Sequence, residues 1–362
     1  MKKILCLIDA LTLGGAERQM IGLACFLKQK NFQVDLVTYH NQGFYQDLAR
    51  KYGVQIITLP VKPNKLSKLL NIANHISKSN GYDWVIAYKD GPCLIGCLLK
   101  ALGGRFNLIV SERSTNLFCS FSDRIKFFLY RFANYIVPNS YSQEYFIKSH
   151  FPSISQKVVT ITNFADVDYF VPLQKSNDKQ IVITTAARIS EAKNIIRYLT
   201  AIAQLKVDGI TNVIFKWYGD IQSGEESYAE LVQANIKKLN LADIVHFYPA
   251  TKDIVRCYQE ADIFCLPSIF EGFPNVVCEA MSCGKPILCS RVCDHPYIVQ
   301  ENVNGILFDP YDTNDIYSAL KRMIELPKSK IEEFSQESRK IAETLFSQET
   351  FVMKYIELIE SM

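Results

Sequence analysis

At 362 residues the chain is too long for one comfortable core and suits two domains. Its 48% hydrophobic and 21% charged residues match ordinary globular usage and exclude a disordered or fibrous chain. Net charge is +3, but residues 1–170 carry 20 Lys+Arg against 11 Asp+Glu, while the remainder carries 20 against 26. A basic first half suits anionic lipid, a phosphorylated acceptor or nucleic acid, or is simply a solvated surface. Eleven cysteines, scattered from Cys6 to Cys293 without a C-x-x-C pair, suit free thiols in a reducing compartment, so a cytoplasmic protein is expected.

The opening Met1-Lys2-Lys3 and the apolar run after it imitate a signal peptide, but Asp9 breaks the run and no small-residue cleavage site follows. A buried first strand is the better reading. Strand patterns then recur at 4–9, 33–39, 54–59, 84–88, 108–111 and 135–138, with helical stretches such as 16–30 and 66–78 between them. A polar segment at 173–179 interrupts the pattern. Beyond it the alternation restarts with 181–185, 194–206, 213–218, 228–239, 244–248, 263–266 and 286–289. This predicts two doubly wound α/β domains, 1–172 and 180–345, joined near residue 175. The tail 346–362 carries Phe351, Val352, Tyr355, Ile356 and Ile359 at helical spacing, a helix expected to pack back on the first domain. Open parallel sheets bind ligands at the carboxyl ends of their strands, which puts chemistry in a cleft between the two sheets.

The segment Ser268-Ile269-Phe270-Glu271-Gly272-Phe273-Pro274-Asn275-Val276-Val277-Cys278-Glu279 follows a strand and ends at Gly284-Lys285-Pro286. It reads as strand, loop and short helix, with Pro274 or Asn275 at the helix start. Backbone N–H groups from about Phe273 to Val277 are expected to aim at a diphosphate or at sugar oxygens. Glu271 and Glu279, as acceptors, suit hydroxyls rather than phosphates.

With Glu271-x7-Glu279 inside Glu-Gly-Phe-Pro-Asn…Glu-Ala-Met…Gly-Lys-Pro, the segment resembles the signature of glycosyltransferase family 4, retaining enzymes of the two-domain GT-B type. Gly14-Gly15-Ala16-Glu17, residues 163–170, Ala187-Arg188 with Lys193-Asn194, and Asn304-Gly305-Ile306-Leu307 are similar in the same order. The resemblance implies a GT-B fold whose two Rossmann-like domains face across a cleft, and retaining, metal-independent transfer of a sugar from a nucleotide diphosphate donor, a UDP-sugar being favoured. It implies that Arg188 and Lys193 grip the diphosphate, Glu271 the donor sugar and Glu279 the ribose. Gly14 and Gly15, with Gly272, Phe273, Pro274, Asn275, Val276 and Val277, would complete the donor site. The acceptor implied is a saccharide, lipid-linked, at the inner face of the cell membrane in surface polysaccharide synthesis. No cofactor and no nucleic acid partner is expected.

Ser111-Glu112-Arg113 ends the fifth strand, where Glu112 and Arg113 are expected on the acceptor side; the alternative is a buried strand-end ion pair. Asp166-Val167-Asp168 has the D-x-D form of a divalent cation site, but its place in the resemblance is structural and no metal is expected. Residues 116–135 interleave aromatics with Arg124, Lys126 and Arg131, and suit a membrane interface or a core helix equally. Cys278, Cys283, Cys289, Cys293 and His295 lack zinc-ligand spacing and read as small buried groups. Cys293-Asp294-His295-Pro296-Tyr297 departs from the resemblance where relatives have a Gly-Gly…Glu run. Rivals are an NAD-dependent oxidoreductase, for which residues 11–16 lack G-x-G-x-x-G, and a non-catalytic two-lobed sugar-nucleotide-binding protein.

Overall fold

A computed structural model describes residues 1–12, 14–40, 43, 45–59, 65–78, 81–173 and 180–362. The predicted joint near residue 175 lies outside these. The chain forms two compact units: Met1–Phe164 with Gln348–Met362, and Ala165–Ser347.

In the first unit the strands are β1 (Lys3–Leu7), β2 (Gln33–Thr38), β3 (Gln55–Thr58), β4 (Trp84–Tyr88), β5 (Asn107–Glu112) and β6 (Tyr135–Pro138). They pair in the order β3-β2-β1-β4-β5-β6, all parallel, with Leu7 beside Val37 and Ala87. Helices α1 (Gly15–Gln29), α2 (Gln46–Lys51), α3 (Lys65–Lys78), α4 (Asp90–Ala101), α5 (Phe121–Leu129) and α6 (Tyr141–His150) link them. Ile4, Leu5, Cys6 and Leu7 are fully buried, and alternate residues feed two separate hydrophobic clusters. A strand apolar on both faces needs a helical layer on each side, and the crossover helices supply it.

The second unit repeats the plan with β7 (Ile181–Ala186), α7 (Ile195–Val207), β8 (Val213–Tyr218), α8 (Glu226–Lys238), β9 (Val245–Tyr248), α9 (Ile254–Glu260) and β10 (Ile263–Leu266). It continues with α10 (Asn275–Ser282), β11 (Ile287–Ser290), α11 (His295–Ile298), β12 (Gly305–Phe308), α12 (Thr313–Ile324) and α13 (Lys328–Leu345). Strand order is β12-β11-β10-β7-β8-β9, again all parallel. Each sheet therefore reverses its winding once, between β1 and β4 and between β7 and β10. That reversal opens a crevice beyond the strand ends, where such sheets bind ligands.

Residues 165–172, placed with the first domain by the sequence pattern, group with the second unit. Arg339 Nη1 donates to the carbonyls of Val167, Phe170 and Ser282 at 3.0, 2.7 and 2.6 Å, and Ala165 N–H bonds Phe346 O at 2.8 Å. Asp166 Oδ1 accepts from Tyr169 N–H at 3.1 Å and closes a turn in the same segment. Among the described residues no group of three or more His, Cys, Asp or Glu could hold a metal ion.

The last helix, α14 (Gln348–Glu360), lies against α1 in the first unit's core. Its apolar stripe Phe351, Val352, Tyr355, Ile356 and Ile359 is buried, and Tyr355 OH meets Tyr88 OH at 2.8 Å. Tyr355→Ala should therefore cost about 3–5 kcal/mol, as for other large core aromatics. Val207→Ala, at a residue 86% exposed, should stay within about 0.5 kcal/mol. Urea unfolding of both variants checks this.

Candidate active site

In the second unit, β7 runs out at Ala186 and the chain turns outward at Arg188. Trp217 Nε1 donates to Ala187 O at 2.7 Å, and a Cβ on Gly219 would sit 1.9 Å from that same oxygen. Only a glycine lets β8's continuation pass so close, and this fixes where Arg188 leaves the sheet. Arg188 is exposed and makes no ion pair among the described residues. Lys193 follows in a short 3-10 turn, Glu191–Lys193, ended by Asn194 at φ 58°, whose side chain donates to Pro310 O at 2.7 Å.

Lys193 Nζ meets Glu271 Oε1 at 2.5 Å, and Ser268 Oγ donates to that oxygen at 2.6 Å. Lys193 and Glu271, 78 residues apart in sequence, thus stand together beyond the carboxyl ends of β7 and β10, at the point where the winding reverses. Ile269 N–H to Ala192 O, 2.9 Å, ties the two loops by backbone as well. Behind them Ser290 Oγ donates to Ser268 O at 2.5 Å, and the fully buried His295 donates from Nδ1 to Ser290 O at 2.7 Å. Burial pushes the His295 pKa down, so the ring is a neutral brace. Of these, Ser290 escaped the sequence reading because it belongs to no recognisable local pattern, whereas Ser268 opens the signature segment and His295 is buried as expected.

Glu279 lies on α10, 5% exposed, accepting from Tyr258 OH at 3.1 Å. The expected row of free backbone donors is shorter than the sequence suggested. Pro274 has no N–H, Asn275 N–H bonds Phe273 O at 3.0 Å, and Val277 N–H bonds Pro274 O at 3.0 Å. That leaves the N–H groups of Gly272, Phe273 and Val276 outside these turns. The side chains of Phe273 and Val277 pack into the unit's core. Burial raises the Cys283 thiol to about 12 and Cys289 well above its ordinary value, so neither supplies a thiolate. A recess of about 740 Å³ lined by Gln180, Asp262 and Lys285 lies at the amino ends of β7 and β10, away from this constellation.

The first unit carries a parallel arrangement at its own reversal, between β1 and β4. Lys89 Nζ bonds Glu17 Oε1 at 2.7 Å and Asp9 Oδ1 at 3.0 Å, and Thr12 Oγ1 donates to Glu17 Oε1 at 2.9 Å. Burial would lower the Lys89 pKa, but the two carboxylates together outweigh it and hold the ammonium above the usual lysine range. Lys89 has φ 71° and ψ 158°, a backbone conformation that is nearly glycine-only. Sequence reasoning missed this residue, although its place at the end of β4 was signal enough. Gly14 and Gly15, expected to bring backbone to a diphosphate, start α1, but Glu17 folds its carboxylate back there. A Cβ on Gly14 would stand 2.3 Å from Glu17 Oε2.

Of the two residues expected on the acceptor side, Glu112 has no oxygen to offer. It is 1% exposed, taking Lys126 Nζ at 2.8 Å on one oxygen and Tyr130 OH on the other. It is the buried strand-end ion pair. Arg113 differs. Its guanidinium lies 3.8 Å from the Tyr88 ring centroid, and Nη1 donates to Asn163 Oδ1 at 3.0 Å. Its Nε and Nη2 have no partner. Those two N–H groups form the side-on fork that matches a carboxylate or phosphate.

Residues 171–341 match the family model of glycosyl transferases group 1. Over 345 residues the chain is 25% identical to the N-acetylgalactosamine-N,N'-diacetylbacillosaminyl-diphospho-undecaprenol 4-alpha-N-acetylgalactosaminyltransferase of Campylobacter jejuni, covering 90% of this chain and 91% of that one. It is 24% identical to the amylovoran biosynthesis glycosyltransferase AmsD of Erwinia amylovora, covering 88% and 89%. The crystal structure of Anabaena HepE in complex with UDP and glucose superposes with TM-score 0.82 at 21% identity, all of both chains being covered. A glycosyltransferase from Rickettsia africae superposes with TM-score 0.86 at 18% identity, covering 99% and 98%.

The backbone at residue 89 has a measurable consequence. Lys89→Gly should be more stable than Lys89→Ala by about 1–3 kcal/mol, since both lose the ion pairs but only glycine relieves the strain. Chemical denaturation of the two variants decides it, and equal stability would contradict the strain.

Proposed function

From its place among the group 1 glycosyltransferases, with two parallel α/β sheets of GT-B kind, we propose that this chain moves a sugar from a nucleotide diphosphate sugar to a lipid-linked saccharide. The observation that carries the reading is the meeting of Lys193, Glu271 and Ser268 beside the unpaired Arg188 at the second unit's winding reversal. The bond from the anomeric carbon to the diphosphate breaks, and negative charge grows on the leaving oxygens. Arg188 and Lys193 stabilise that charge, Lys193 being held in place by Glu271 until the donor arrives. The acceptor hydroxyl forms its new bond on the face the diphosphate leaves, and its proton passes to a diphosphate oxygen, giving retention. Glu271 holds donor-sugar hydroxyls and Glu279 the ribose.

UDP is the favoured nucleotide, supported by the UDP-bound relative of like fold. Lipid-linked acceptors are supported by the diphospho-undecaprenol named for the Campylobacter relative. On the first unit we assign Lys89, with Arg113, whose Nε and Nη2 are buried without a partner, to the acceptor side. Such a protein works at the inner face of the cell membrane.

Two outcomes test this. Arg188→Ala and Lys193→Ala should lower kcat as well as weaken donor binding, whereas Glu279→Gln should mainly raise donor KM. Loss of a charged hydrogen bond implies roughly tenfold to a hundredfold in kcat/KM for each. Wild-type kinetics in all of them, with folding intact, would place the donor site elsewhere. Transfer should also persist in EDTA, and rescue of an EDTA-inactivated enzyme by Mn²⁺ would overturn the metal-free mechanism.

A further inference from the structure

Helix α5 is built inside out. Its buried face consists of Asp123, Lys126 and Phe127, while Phe121, Ile125 and Phe128, at i, i+4 and i+7, stand in solvent. Just before it Leu117 and Phe118 are also exposed, and just after it Phe132. Exposure of 84% for Phe118 and 79% for Phe121 is the reverse of the usual burial of aromatic side chains. Scattered exposed apolar residues need no explanation, but six within 16 residues of chain form a patch that does.

The patch does not result from loose attachment. Ser120 and Asp123 form a reciprocal cap at the helix start, with bonds of 3.1 and 2.9 Å. Asn116 bonds Asp123 at 3.0 Å and exchanges two bonds with Gln143 at 2.8 and 2.9 Å, pinning the turn that carries Leu117 and Phe118. On the inner face Lys126 Nζ bonds Glu112 at 2.8 Å and Asp90 at 3.3 Å, and Tyr130 closes the second Glu112 oxygen. Burial would lower the Lys126 pKa, yet the Glu112 and Asp90 charges hold it up at about 12. Stripping one partner from such a buried pair leaves an uncompensated charge, so the network holds the polar face inward.

The patch's charges are selective too. Of the charged groups in residues 117–132, Asp123 and Lys126 are buried, which leaves Arg124 and Arg131 as the exposed ones. Arg131 stacks on Phe128 with Cζ 4.1 Å from the ring centroid. Aromatic and aliphatic side chains flanked only by arginines fit the headgroup boundary of an anionic bilayer, where rings bury and guanidinium groups meet phosphate. The whole of residues 1–170 adds a positive field of the same sense. No helix among the described residues is long and apolar enough to cross a membrane.

We infer that α5 and the turn before it are the element by which this chain docks on an anionic phospholipid surface, with Phe118, Phe121, Ile125 and Phe128 entering the headgroup layer. The inference rests on the lipid-linked acceptor reading only for its purpose. The Glu112–Lys126–Tyr130 network is the scaffold that presents the face.

The test is flotation of the full chain with vesicles of equal parts phosphatidylglycerol and phosphatidylcholine, and with phosphatidylcholine alone. The wild type should float with the anionic vesicles, more weakly at high salt, and poorly with the neutral ones. Phe118→Ser and Phe121→Ser should each lower partitioning about tenfold. Both should keep the wild-type melting temperature, since neither side chain packs in the core. Wild-type flotation by the double variant overturns the inference, as does no flotation of the wild type at low salt. A concentration-dependent dimer that the double variant abolishes, without vesicle binding by the wild type, would assign the face to a second copy instead. UDP binding measured in parallel separates the two readings: vesicle binding without it spares this inference and sinks the donor assignment, and the reverse result does the opposite.

Discussion

A fully parallel sheet puts every strand's carboxyl end on one edge, and both clusters of the candidate site follow from that constraint. Six strands wound outward from the middle in two directions leave one gap per sheet where neighbouring connections part, between β1 and β4 and between β7 and β10. Side chains from distant parts of the sequence converge there without any need for local motifs. Lys193 and Glu271 meet at one reversal, and Lys89, Asp9 and Glu17 meet at the other.

Both meeting points use one electrostatic arrangement. A lysine in a partly buried crevice would otherwise carry its charge uncompensated, and each of these two leans on a carboxylate that is itself fixed. Glu271 is fixed by Ser268, and Glu17 by Thr12. The site is thereby ordered before any ligand is present, which reduces the rotamer freedom that binding must remove. Arg188 and Arg113 differ, for guanidinium groups stay charged under almost any surroundings and tolerate an unfilled edge better than an ammonium does.

The alternation of strand and helix was legible because buried parallel strands are apolar on both faces and short, and every strand proposed from the pattern is present. The meeting of Lys193 with Glu271 agrees with the spacing of their motifs on two strand ends. What escaped depends on geometry that spacing does not encode. Lys89 follows directly on β4, but its glycine-like backbone and its two carboxylate partners belong to the fold. Residues 165–172 join the second unit because Arg339, 172 and 169 residues from Val167 and Phe170, collects their carbonyls. Glu112 looked like a crevice acid until Lys126 and Tyr130 claimed both its oxygens. The face of α5 was ambiguous because its pattern is amphipathic whichever way it points, and a buried lysine decided the direction.

The tyrosine pair between β4 and α14 joins two segments that lie on either side of the second unit in sequence. Tyr88 forms the platform on which Arg113 rests, and its hydroxyl is completed by Tyr355, seven residues before the terminus. A ribosome makes the second unit's residues before that helix, so the first unit keeps an open core seam along α1 until α14 has been made. A truncated message yields a first unit lacking the layer that covers its sheet. The platform under Arg113 is thus completed only once Tyr355 has been made.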